Sequence, residues 1–97
     1  MKYVVQAELD PVTGMEVEAQ PEKIEEFIAK WQALNPIGFY FNLTRRAVTI
    51  IVDVPNEDAM FEALHNSWVM TQDYPDVSPV ASVDEFPEIL KRIGVGG

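Results

Sequence analysis

Between Val48 and Val80 the hydrophobic and polar positions change period twice. Val48-Thr49-Ile50-Ile51-Val52 has the β-branched composition of a strand and stops at Asp53-Val54-Pro55-Asn56. Asn56 then stands as an N-cap before Met60, Phe61, Leu64 and Trp68, which recur at helical spacing. Tyr74 to Ser82 reads as strand again, interrupted by Pro79, which has no N–H for a ladder and therefore belongs on a sheet edge. The stretch predicts a strand, a capped helix and a second strand.

The same reading extends along the chain. Lys2 to Leu9 alternates, with Tyr3, Val5, Ala7 and Leu9 on one side and Lys2, Val4, Gln6 and Glu8 on the other. Asp10-Pro11, Thr13-Gly14 and the run to Glu18 read as a long acidic connection, either solvated or serving as a lid or binding loop. Pro21 and Glu22 suit a helix start, and Ile24, Phe27, Ile28, Trp31 and Leu34 follow at helical spacing until Asn35-Pro36 stops the run. Phe39, Phe41 and Leu43 alternate with Tyr40, Asn42 and Thr44 before a turn near Arg45-Arg46, which makes a hairpin with the strand at Val48. A short C-terminal helix carries Pro87 in its first turn, Lys91 and Arg92 at its end, and Gly94 as its stop.

The predicted order is β-α-β-β-α-β plus a terminal helix, which is an α+β, ferredoxin-like plan over one domain, residues 1–97. Two helices would cover one face of a four-stranded antiparallel sheet. The other face would present Val4, Gln6, Glu8, Tyr40, Asn42, Thr44, Thr49, Ile51 and Asp53, too apolar to stand fully in water. Its expected cover is either the C-terminal helix, through Phe86, Ile89, Leu90 and Ile93, or the same sheet of a second subunit. The second arrangement closes an isologous homodimer around a half-polar cavity.

Composition narrows the chemistry. With 47% hydrophobic and 10% aromatic residues the chain can build a core. It has no cysteine, so disulfides, thiolate nucleophiles and thiolate metal sites are excluded, and its one histidine cannot form a histidine cage. The net charge of -9 repels phosphate backbones and anionic membranes, so neither nucleic acid nor membrane is an expected partner. No run approaches the apolar length of a membrane span, the first residues lead directly into strand-like sequence, and a cytoplasmic location is the expectation. No cofactor motif is present: the sequence lacks a Gly-rich phosphate loop, a nucleophile elbow and a metal-ligand cluster.

Asp53-Val54-Pro55-Asn56, the helix Glu57 to Leu64 and the strand start Tyr74-Pro75-Asp76-Val77 resemble the muconolactone isomerase-like branch of the dimeric α+β barrels. The resemblance covers the C-terminal half and lies in architectural positions. It implies paired sheets forming a barrel between two subunits, in a superfamily that includes small-molecule isomerases and monooxygenases. It assigns no catalytic residue to a position in this chain.

The residues themselves offer six candidates and, beside them, an arginine pair. His65 is the only imidazole and lies at the border of the helical stripe, where it could move a proton beside a carbonyl or make one structural hydrogen bond. Glu8 and Asp53, on the uncovered sheet face, could serve together as acid and base, or stand as a solvated strand edge and a strand-end residue bonded to nearby backbone. Tyr40, Trp68 and Tyr74 could line a pocket for an aromatic or apolar ligand, or simply pack. Arg45-Arg46 could clamp a carboxylate or form a solvated hairpin tip. The functional expectation is a homodimer that binds a small organic molecule between sheet and helices, acting as a cofactor-free, isomerase-like enzyme. The alternative is a non-enzymatic ligand-binding or protein-interaction module.

Overall fold

The computed structural model describes residues 1–94. Its elements are β1 (Lys2–Glu8), α1 (Pro11–Glu18), α2 (Pro21–Gln32), β2 (Gly38–Phe41), β3 (Ala47–Asp53), α3 (Glu57–Thr71), β4 (Asp76–Val80) and α4 (Phe86–Arg92). The strands form one antiparallel sheet in the order β2-β3-β1-β4. This arrangement is compatible with the ferredoxin-like plan, with α1 added between β1 and α2. Pro79 lies on β4, at the sheet edge, where its missing N–H costs no central ladder bond.

Alternation along the central strands decides which side chains meet the helices. Val5 of β1 and Val48, Ile50 and Val52 of β3 are buried on one face, where they join Phe27 and Trp31 of α2 and Met60 and Ala63 of α3. Each such large apolar side chain contributes roughly 1.5–3 kcal/mol before conformational entropy is counted. On the opposite face the register lines up Lys2 with Asp53, Val4 with Ile51 and Gln6 with Thr49. Gln6 sits in a central strand and is nonetheless exposed, so neither α4 nor any other described element closes over the middle of that face. No residue of α4 is fully buried, and Phe86 and Ile93 are each more than half exposed.

Two segments depart from the sequence expectation. The connection after β1 is a helix: Asp10 Oδ1 accepts from Thr13 N at 2.9 Å, Pro11 occupies the first turn, and Gly14 N donates to Asp10 O at 2.8 Å. The bonds from the N–H and hydroxyl of Thr13 hold the Asp10 carboxyl below its usual range. In α3, the buried face is Met60, Ala63 and Ser67, whereas Phe61 is 61% exposed and Trp68 41% exposed. Met60 and Leu64 of the expected stripe do face the core, but Ala63 and Ser67 take the places expected for Phe61 and Trp68, and Ser67 supplies the acceptor for a buried indole. Trp31 Nε1 donates to Ser67 Oγ at 3.0 Å, and the Ser67 hydroxyl donates to Ala63 O at 2.9 Å. Among the described residues no buried side-chain nitrogen or oxygen lacks a partner.

The helix ends follow local chemistry. Asn56 Oδ1 accepts from Ala59 N at 3.0 Å and caps α3. Asn35 and Gln72 take left-handed backbone angles, φ 51° and 59°, after α2 and α3. Lys2 pairs with Glu85, which also accepts from the backbone N–H of Ser82; these contacts, the Lys2 bond foremost, pull the Glu85 carboxyl down to about 2. The start of α4 is thereby tied to the first strand.

Candidate functional site

The six sequence-derived candidates do not converge within one copy of the chain. Glu8 lies across from Ala47 at one end of the sheet, and Asp53 lies across from Lys2 at the other. Six residues of extended strand separate these rows, about 20 Å at 3.3 Å per residue. Glu8 faces the Arg45 guanidinium at 3.7 Å, and Asp53 accepts from the N-terminal amine at 3.0 Å. They therefore form no acid–base pair in the single copy. Tyr40, 64% exposed, leans back over Gly38 on the same face; a Cβ at Gly38 would come within 2.8 Å of its ring.

The remaining three candidates do meet, in a place the sequence does not indicate. Phe61, His65, Trp68 and Tyr74 form a row of nearly parallel rings with centroids 6.0–6.2 Å apart along the outer side of α3. Phe61, His65 and Trp68 follow at i, i+4 and i+7, so helical geometry aligns them, and the left-handed turn at Gln72 helps bring Tyr74 to the end of the row. The row lies on the surface, and His65 makes no side-chain hydrogen bond among the described residues. Tyr74 also borders a groove of about 210 Å³ that it shares with Glu8 and Asp76.

A roomier concavity lies elsewhere, on the helix side of the sheet. A cavity of about 430 Å³ opens where β1 and β2 end and β3 begins, roofed by α1 and walled by the first half of α2 and the last turn of α3. Its interior is apolar, with Leu9, Val17, Ile24, Phe27, Phe41 and Met70 among its walls. Its rim carries Glu18, Asn42, Arg45, Arg46 and Thr71.

Gly14 sets the height of the roof. Arg46 crosses directly over it, and a Cβ at Gly14 would fall 2.7 Å from Arg46 Nε. From there Arg46 reaches Glu18 through two bonds, Nε to Oε1 at 2.8 Å and Nη2 to Oε2 at 3.2 Å. The shared hydrogen bonds, and after them the charge attraction, lower the Glu18 carboxyl and raise the Arg46 guanidinium. A helix thus rests on a hairpin through a glycine and a forked ion pair, and the cavity lies beneath that contact.

Sequence reasoning placed Phe27 in the core, which it also helps enclose, and weighed Arg45 and Arg46 as a carboxylate clamp or a solvated tip. Leu9 is expected on the strand face of Tyr3, Val5 and Ala7, whereas nothing in the sequence marks Val17 or Met70. The Asp10-Pro11 start signal was the one feature that could have turned the connecting loop into a roof. Within the described residues no cluster of histidine and carboxylate side chains is arranged to hold a metal ion, and no helix is long and apolar enough to cross a membrane. Comparison of the chain with protein-family models, curated proteins and solved structures finds no match.

Proposed function

We propose that this protein is a binding module for a small apolar organic molecule, which it holds between sheet and helices under α1. The carrying observation is the cavity of about 430 Å³, whose size lies within the range of small-molecule sites and whose polar groups are confined to the rim. Binding without catalysis is the reading the geometry favours, because Glu8 and Asp53 stand at opposite ends of the open sheet face, His65 lies on the outer side of α3, and none of them lines this cavity. An isomerase-like activity would need proton-transfer groups at the ligand, and the rim offers only Glu18, already engaged by Arg46.

The test is titration with n-decanol, followed by NMR line broadening or calorimetry. The native protein is expected to bind it, and Val17→Trp, which fills the space beneath α1, is expected to weaken binding at least about tenfold, a loss of about 1.4 kcal/mol. Unchanged affinity in a folded Val17→Trp protein would rule out this cavity as the site.

The open sheet face supports a second element of the proposal, a homodimer like that of the α+β barrels which the C-terminal half resembles. Val4 and Ile51 lie paired and only partly covered there, flanked by exposed Tyr40 and Val80. Sedimentation is expected to give a dimer that Ile51→Lys converts to monomer. A native protein that stays monomeric at high concentration would remove the dimer from the account.

A further inference from the structure

Resting on that binding reading, we infer that the molecule held under α1 is an apolar monocarboxylate whose anionic head meets Arg45. Hydrogen-bonding capacity at the rim carries the inference. Both oxygens of Glu18 are taken by Arg46. The Thr71 hydroxyl already reaches Ser67 O and accepts from Asp73 N. Asn42 Oδ1 accepts from both the backbone N–H and the hydroxyl of Thr44, at 2.8 Å each, which leaves the amide nitrogen as the group without a partner among the described residues.

Arg45 completes the set. Its ion-pair carboxylate is Glu8, at 3.7 Å from Nε, beyond hydrogen-bonding distance, and both side chains are more than half exposed. The side-chain groups at the mouth with hydrogen-bonding capacity to spare are therefore donors: the Arg45 guanidinium, held only by the long ion pair to Glu8, and the Asn42 amide N–H. A carboxylate accepts from such a fork through two oxygens, whereas a neutral hydroxyl accepts one weaker bond and a cationic head would face two adjacent arginines. The chain's charge is -9, yet two of its seven basic side chains stand side by side where the cavity opens.

The experiment compares decanoate with n-decanol, which share a chain and differ in the head. Decanoate is expected to bind about tenfold more tightly at low salt. Arg45→Gln should weaken decanoate about tenfold and n-decanol far less, and Glu8→Gln, by removing the competing carboxylate, should tighten decanoate about threefold. Raising salt from about 20 to 500 mM should weaken decanoate selectively in the native protein, which gives a readout that needs no variant. Failure of both ligands to bind overturns the binding reading itself. Equal affinity for the two, or an Arg45→Gln effect of the same size on both, overturns the carboxylate inference and leaves the cavity as a neutral site.

Discussion

Replacing Trp31 with Ala is expected to destabilise the protein by about 3–5 kcal/mol, the cost of deleting a fully buried indole from a core that cannot collapse around the gap. A domain of this size holds roughly 5–15 kcal/mol in all, so the loss would lower the melting temperature by tens of degrees or leave the chain unfolded. The companion change is more discriminating. Ser67→Ala removes only one oxygen, but that oxygen receives Trp31 Nε1 in a site where neither residue is more than 1% exposed. The indole N–H would then be buried without an acceptor, at about 1–3 kcal/mol.

Trp31→Phe removes the donor and leaves the Ser67 hydroxyl bonded to Ala63 O, so no polar atom is orphaned. Urea unfolding of the two single variants and the double variant should show that Ser67→Ala costs much less in the Trp31→Phe background than in the native one. Additive effects would mean that the hydrogen bond does not set which face of α3 is buried.

Gly14→Leu is expected to cost ligand affinity at least about tenfold and to lower stability by roughly 1–3 kcal/mol, the usual cost of forcing extra methylenes into a filled site. Its side chain must occupy the space Arg46 now crosses, so Arg46 swings away, the fork to Glu18 opens and α1 lifts from the hairpin. Gly14→Ala is the control on sign. Glycine inside a helix is about 1 kcal/mol less favourable than alanine, so the propensity gain opposes the displacement of an exposed ion pair, and stability should move little in either direction. Calorimetric titration of both variants against decanoate measures the effect. A Gly14→Leu protein that binds as the native one does would show that the close approach of Arg46 does not shape the cavity.

Much of the fold was legible because period and caps are local properties. The alternation in Lys2–Glu8 and Ala47–Asp53, the Asn56 cap and the edge position of Pro79 each follow from a few neighbouring residues. α1 escaped because Val12 and Met15 face outward while Gly14 and Val17 face inward, which leaves no apolar stripe at helical spacing. Only its capping aspartate and first-turn proline announce it. The face of α3 was misjudged because hydrophobicity favours Phe61 and Trp68 over Ser67, and nothing local reveals that an indole on α2 needs an acceptor there.

The candidate site was less legible for a related reason. Which face Glu8 and Asp53 occupy follows from alternation, but how far apart they stand follows from register, and register is set by pairing across the sheet. The cavity depends on the meeting of β1, α1, α2, β2, β3 and α3, which no single segment encodes.

A ligand is expected to sit in the space under α1. Backbone amide shifts recorded by NMR during a decanoate titration test it most directly. Saturable shifts are expected at Leu9, Gly14, Val17, Ile24, Leu43, Arg45 and Met70, with Val4, Gln6, Thr49 and Ile51 on the open face unmoved. Shifts confined to the open face or to the ring row of Phe61, His65, Trp68 and Tyr74 would contradict that placement.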